Sequence, residues 1–585
     1  MDPITIAIIT LVAIIALIVI IVLVQTSQFG IEYEDVEPIN LPEVDGESVA
    51  QRIGLAVQLK TISDVDPEKV DPRPFEAFRD LIRTLYPQLE EKLTREVINR
   101  HALLYTWQGS DPSLDAVCFT AHQDVVPADE GEDSGWTHSP FAGELADGYV
   151  WGRGTLDCKG ILICLLEAVN NLVKLGYQPK RTIYLAFGDD EENSGVAGAK
   201  QIVKTLKERG VRLSFLLDEG GTVTTGQIEG VKGPVAIIGI SEKGYLSLKL
   251  KARVKGGHSA MPPTQTAIGA LSLAIAALES NPFPQTLEVA QFTLSHLGNE
   301  VPFLQRMALA NPWLFGKIAK KRLAALPSTN ALTRTTAVPT IIKAGSADNV
   351  LPAEAEAVIN CRIMPGETIK DVYERICDLV ADEIVSVEPV HGDTIMDDRA
   401  WNPTIISDVD SPQYNRLADL ILGAFPGTKV APVMISGATD ARYYNDLCSN
   451  VYRFAPFYLT KEEIGTVHSD NERVSFENAG RAVGFYQALI AQLASLTAEQ
   501  ETAERDATEE EDEDLSDAET SAIDRMNEPL KVKPLDPTRP KAREEHEDLK
   551  SGEGVTEEVT WKRSVQYIDD DEPLVVKPMK KKLEE

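Results

Sequence analysis

Apolar residues are distributed along the chain in three ways. The first is an unbroken run from Ile4 to Val24, 21 residues without a charge. Wound as a helix it spans about 31 Å, the thickness of a bilayer's hydrocarbon core. It is too long for the apolar stretch of a cleaved signal peptide, no basic residue occurs before Arg52, and Gln25-Thr26-Ser27-Gln28 is a poor cleavage site. The run predicts a single-pass anchor over residues 1–25 and a membrane-bound protein. No nearby charge orients it; a lumenal, vacuolar or extracellular catalytic body is the favoured placement.

The second pattern is short apolar runs separated by helical periodicity. Ala116 to Thr120, Thr182 to Phe187 and Leu213 to Leu217 read as buried strands. Ile161 to Leu175 and Val196 to Glu208 read as helices between them. That alternation predicts an α/β fold, with a mostly parallel sheet covered by helices on both faces. In such sheets ligands bind beyond the carboxyl ends of the strands.

The third pattern is period-two alternation. Leu246 to Val254 (LSLKLKARV) and Ala355 to Ile363 read as strands with one wet face, and Ala267 to Leu278 and Ile369 to Ala381 as helices. They predict a smaller two-layer α+β lid or dimerisation domain over residues 245–392, interrupting a catalytic domain made of residues 26–244 and 393–497. Phe303 to Leu326 (FLQRMALANPWLFGKIAKKRLAAL) hints at an apolar acyl pocket or a membrane contact, although an amphipathic core helix fits it too. From residue 498 the periodicity is lost. Residues 501–585 hold 27 acids and 14 basic residues, including six consecutive acids from Glu509 to Asp514, which predicts a disordered acidic tail over 498–585.

Composition narrows the function classes. The net charge of −34 argues against a nucleic-acid partner, because phosphate binding needs a basic face, but not against divalent cations. The six cysteines fit no CxxC pattern and read as small buried hydrophobes.

Acids and histidines cluster after the predicted strands. Ala121-His122-Gln123-Asp124-Val125-Val126-Pro127 offers an imidazole near a carboxylate that would fix its tautomer. Gly152-Arg153-Gly154-Thr155-Leu156-Asp157-Cys158-Lys159-Gly160 leads into a helix and lacks the order of a phosphate loop. Gly188-Asp189-Asp190-Glu191-Glu192-Asn193-Ser194-Gly195 packs four acids at a strand end, a costly arrangement unless a cation neutralises it. Asp218-Glu219-Gly220-Gly221 and Val467-His468-Ser469-Asp470-Asn471-Glu472-Arg473 complete the set. Taken singly, each also fits an ordinary loop or helix-start residue. Jointly they supply oxygen and imidazole donors without thiolate, which suit Zn²⁺ and also Mn²⁺ or Co²⁺.

With GGHSAMPP and SGATDAR in the same order, these motifs give a chain that resembles the zinc metallopeptidases that include glutamate carboxypeptidase, aminoacylase and vacuolar carboxypeptidase S. The likeness is closest to the carboxypeptidase S and N-acyl-amino-acid hydrolase branch and covers about residues 45 to 495. The resemblance implies two Zn²⁺ ions per subunit, with Co²⁺ or Mn²⁺ as substitutes. Asp157 would bridge them, His122 and Asp218 would complete one site, and Glu192 and His468 the other. It implies Asp124 as the residue orienting His122, Glu191 as general base, and His258 as a stabiliser of the oxyanion acting in a partner subunit's site. Arg362, Arg442 and Asn349 become the substrate-binding candidates, a guanidinium matching a carboxylate bidentately. A surface ion pair is the bland alternative for both arginines, and an exposed turn histidine the alternative for His258.

The expected activity is a metallocarboxypeptidase or amidohydrolase cleaving peptides or N-acyl amino acids with a free carboxylate. The expected partners are that substrate, the membrane, and a second copy through the lid domain. The rivals are a deacylase of small N-acetylated metabolites and a non-catalytic membrane scaffold. Loss of a metal ligand would signal the scaffold, and none is missing.

Overall fold

The computed structural model describes residues 2–31, 36–131, 133–228, 230–391, 394–395, 399–497 and 500. The expected acidic tail lies outside the described residues, apart from residue 500. The chain forms two compact units. Among the described residues, one is built from 2–243, 285–333 and 403–497, the other from 244–284 and 334–402.

The first unit begins with α1 (Pro3–Gln28), capped by Asp2, whose carboxylate accepts the Thr5 amide at 2.9 Å. Of its 26 residues only Val22 and Thr26 are buried, so its apolar side chains do not serve as core. By length and composition this largely exposed helix is long and apolar enough to cross a membrane. Next comes a ten-stranded sheet. At its centre β1 (Ala116–His122) pairs in parallel with β2 (Ile183–Gly188) on one side and β3 (Leu213–Asp218) on the other. Every side chain of β1 and β2 is buried, as expected of strands covered on both faces. On the far side of β2 lies Ala102–Trp107, antiparallel to it; beyond β3 lies Val451–Arg453, parallel.

Helix α2 (Lys159–Lys174) follows the loop that carries Asp157 and packs against Phe476–Ser495. Most of its side chains are buried, which explains why its sequence is apolar on more than one face. Parallel pairing brings the carboxyl ends of β1, β2 and β3 to one rim, with His122 in register with Gly188.

Residues 285–333, expected within the lid, fold with this first unit. Helix Glu288–Ser295 buries Val289, Ala290, Phe292 and Thr293, and packs on strand Lys429–Ile435; Thr293 donates its hydroxyl to the Pro432 carbonyl at 2.9 Å. After it come α3 (Phe303–Ala310) and α4 (Pro312–Ala324), and α3 packs against α1.

The second unit is a four-stranded antiparallel sheet in the order β4 (Thr336–Ala344), Glu354–Ile363, Gly244–Arg253, Val385–Pro389. Glu354–Ile363 and Gly244–Arg253 alternate buried and half-buried positions along their length. Their inner side chains, among them Leu248, Leu250 and Ile359, form one core with Leu271 of helix Ala267–Ser280 and Ile376 of helix Ile369–Val380. Thr368 and Asp371 start the latter helix with a reciprocal capping box.

Candidate metal centre and active site

The rim of the parallel sheet collects side chains from far apart in sequence. His122 is the last residue of β1, Asp157 precedes α2, Glu191 and Glu192 open a turn after β2, and Asp218 ends β3. His468 comes from a loop near the end of the chain and has a left-handed backbone, φ 59°.

Asp157 stands between the two histidines. Its Oδ1 lies 2.8 Å from His122 Nε2 and its Oδ2 lies 2.9 Å from His468 Nε2. His468 Nε2 also meets Glu192 Oε1 at 3.1 Å. The donor atoms of Asp157, Glu192 and His468 lie within 4.8 Å of one another. A second triplet on the same criterion joins His122 and Asp157 to Cys158. Cys158 is fully buried and burial drives its thiol pKa upward, so it keeps its proton; its sulfur accepts the His122 amide at 3.0 Å. The available donor set is therefore oxygen and imidazole. His122 is sealed at 1% exposure whereas His468 is 48% exposed, so the cluster opens to solvent on the His468 side.

Buried groups hold these donors in place. His122 Nδ1 faces the Asp124 backbone carbonyl at 3.0 Å and the Asp124 carboxylate at 3.3 Å, which leaves Nε2 directed at Asp157. The Asp124 carboxylate does more than orient an imidazole. It accepts the Ser63 hydroxyl at 2.6 Å and the amides of Glu191 and Glu192 at 3.1 Å each, and so fixes the turn that presents both glutamates. Asn193 closes this network by donating to Ser63 Oγ at 2.6 Å.

Glu472 performs the equivalent task for Asp157. Fully buried, it accepts the amides of Gly154 and Leu156 at 2.9 Å and of Asp157 at 3.2 Å, and pairs with Arg153 at 2.5 Å. Asp440, from the SGATDAR motif, is a buried carboxyl whose two oxygens accept no hydrogen bond from the described residues. Gly188 and Gly195 (φ +63°) make room for it, since a Cβ on either would sit 2.3 or 2.1 Å from its oxygens. Sequence reasoning placed Glu472 and Asp440 inside motifs without giving either a role, and did not single out Ser63.

Electrostatics follow from this crowding. Burial pushes the Glu191 carboxyl up to about 8 and that of Asp189 to about 8, and drives Glu219 upward as well. Hydrogen bonds to Asp157 and Glu192 lift His468 to about 10. Burial pushes Asp157 up, but its bonds to His122 and His468 outweigh this and hold its carboxyl low. The site is rich in acids that share protons, a state that a divalent cation displaces.

Other predicted residues are placed differently. Asp218 belongs to neither triplet: its oxygens accept the Glu219 amide at 2.9 Å and the Ala441 amide at 2.8 Å. Arg442 is buried, donates to the carbonyls of Thr439 and, at 2.6 Å, Ser194, and lies 3.8 Å from Glu191 Oε1. The remaining three lie in the second unit. His258 is exposed on the short strand Gly257–His258, paired with Val350–Leu351, and the Ser259 amide donates to the Asn349 carbonyl at 3.2 Å. The Ala260 amide donates to His258 Nδ1 at 3.0 Å, which puts the ring proton on Nε2. Arg362 stacks 4.7 Å over the ring of Tyr245, which itself stacks on Trp401. All six cysteines are free and five of them are buried, as expected of small apolar residues.

The sequence profile of peptidase family M20/M25/M40 matches residues 118–492. The chain is 35% identical over 446 residues to the probable carboxypeptidase S-like 2 of Dictyostelium discoideum, covering 76% of this chain and 84% of that one. It is 37% identical over 453 residues to the human N-fatty-acyl-amino acid synthase/hydrolase PM20D1, covering 76% and 88%. Among solved structures, the M20 family metallo-carboxypeptidase Sso-CP2 of Sulfolobus solfataricus matches with a TM-score of 0.57 at 14% identity, over 76% of this chain and 99% of that one. Human carnosine dipeptidase 1 matches at 0.51 and 18%, over 77% and 97%. These two share the fold. The chain therefore belongs to peptidase family M20/M25/M40, in the branch of the carboxypeptidase S-like proteins and N-acyl-amino-acid hydrolases, and is an amidohydrolase.

Proposed function

We propose that this chain is a membrane-anchored di-metal hydrolase that cleaves the amide bond of peptides or N-acyl amino acids bearing a free carboxylate. The observation that carries this reading is Asp157, whose two oxygens each face a different imidazole. The donor set fits a pair of hard-to-borderline divalent cations, zinc first and cobalt or manganese as substitutes. Asp157 would be shared, with His122 and Asp218 on one side and Glu192 and His468 on the other. When bound, such a pair supplies Lewis acidity, both acidifying water and polarising the amide carbonyl.

The protein's own groups do the rest. Asp124 holds His122 and the Glu191–Glu192 turn, so the ligands are fixed before substrate arrives. Glu191, largely buried beside Arg442, would take a proton from the attacking water and return it to the leaving amine. Arg442, beside Glu191, and Arg362 and Asn349 in the second unit are the proposed carboxylate and backbone contacts of substrate. His258 carries its proton on Nε2, which makes it a donor to a developing oxyanion.

A second copy of the chain is the proposed partner of the lid. The sheet's edge strand β4 exposes Val338, Ile341 and Ile342, at 48%, 50% and 62%. An apolar edge strand of that kind is a template for pairing. The relatives' names favour two substrate classes, so the test is a panel of dipeptides and N-acyl amino acids of graded chain length, assayed before and after chelation. Chelator-sensitive hydrolysis restricted to substrates with a free carboxylate is the expected result. Turnover that survives complete chelation, or no turnover on any member, contradicts the proposal.

A further inference from the structure

The last two turns of α1 are held by protein. Thr26 is fully buried, Asn311 Nδ2 donates to the Val22 carbonyl at 3.3 Å and to Thr26 Oγ1 at 3.2 Å, and Trp313 Nε1 donates to Gln25 Oε1 at 3.0 Å. Asn311 is the joint between α3 and α4. The apolar run ends at Val24, so these contacts fix both helices at the depth where a spanning α1 leaves the hydrocarbon. The side chains they display suit that depth. Phe303, Leu304, Trp313, Leu314 and Ile318 are 50%, 71%, 54%, 46% and 65% exposed. Leu314 and Ile318 lie one turn apart on α4 and form a stripe, and an exposed Trp is the residue enriched at membrane–water boundaries. Charge points the same way. From Phe303 to Leu326 there are five basic residues and no acid, in a chain whose net charge is −34.

We propose that α3 and α4 form a bilayer-contact surface, lying in the headgroup layer of an anionic phospholipid membrane beside α1. The apolar residues enter the acyl boundary, and the positive charge of the segment as a whole favours an anionic headgroup layer. This rests on the reading of α1 as a membrane anchor. It adds that the catalytic unit lies against the leaflet and does not hang free of it.

The full chain, reconstituted in vesicles of phosphatidylcholine and phosphatidylserine with brominated acyl chains, tests both readings separately. Flotation reads the anchor; quenching of tryptophan fluorescence by bromine reads the surface. The wild type floats and is quenched, while Trp313→Phe floats and loses most of that quenching. A Leu304→Asn/Ile318→Asn variant, which keeps Trp313 and α1, floats with weakened quenching. Equal quenching of wild type and Trp313→Phe, or none in either, overturns the surface while leaving the anchor standing. Quenching unchanged in phosphatidylcholine alone overturns the assignment to an anionic membrane. A chain that does not float overturns both.

Discussion

At Asp157 a single carboxylate serves two imidazoles, and most buried polar contacts around it act to keep it there. Glu472 gathers three backbone amides of the Asp157 loop. Replacing it by Gln removes the charge that offsets buried Arg153, and metal affinity is expected to fall about 10- to 100-fold, the usual effect of losing an outer-shell partner. Isothermal titration of the chelated protein checks this, and Glu472→Asp should recover part of the loss. Glu191→Gln should retain its metal and lose about 10²- to 10⁴-fold in kcat, the range of a general base. Near-normal turnover in that variant removes Glu191 from the mechanism. Of the candidate donors, His122, Glu192 and Asp218 stood out in the sequence because they end or follow apolar runs, where an α/β sheet places its chemistry, whereas Asp157 and His468 were marked only by their motifs. The work of Glu472 was not legible, because its partners lie more than 300 residues away in the chain and only folding brings their amides together. Nor was the second task of Asp124, since a bond to the amides of Glu191 and Glu192 leaves no side-chain signature.

At the scale of elements, β1, β2 and β3 read correctly because fully buried parallel strands leave continuous apolar runs, and Gly244–Arg253 because one wet face imposes alternation. Strand β4 escaped notice. Pro339 interrupts it, its register shifts between Pro339 and Ile341, and most of its side chains are exposed, so neither periodicity marks it. Its exposure yields a prediction: Ile342→Glu should convert a dimer into a monomer on light scattering without lowering metal content. A dimer that persists places the contact elsewhere. Residues 285–333 lie inside the insert by position in sequence, whereas the apolar face of Glu288–Ser295 packs on Lys429–Ile435 of the first unit, a contact between segments far apart. In the second unit's core, Ile359→Ala should cost about 2–5 kcal/mol, read as a lower denaturant midpoint.

For the whole molecule, the excess of acids ties stability to pH and to metal. Burial lifts Glu191 from its ordinary 4.5 to about 8, and bonds to Asp157 and Glu192 lift His468 from 6.5 to about 10. Across that span the folded metal-free chain binds more protons than the unfolded one, so its stability falls as pH rises. Asp157, held low, contributes the opposite dependence at acid pH, where its stabilisation is lost as its carboxylate is protonated. The chelated protein should therefore melt at a lower temperature near pH 9 than near pH 6, and adding metal should stabilise it more at the higher pH, because cations replace the protons. A melting temperature that rises with pH contradicts this. The most direct measurement is metal content by mass spectrometry of the purified full chain and of Asp157→Asn. Two ions per chain are expected in the first and the loss of both in the second, because one carboxylate would serve both sites; a chain that holds no metal, or an Asp157→Asn variant that retains both ions, contradicts the di-metal reading.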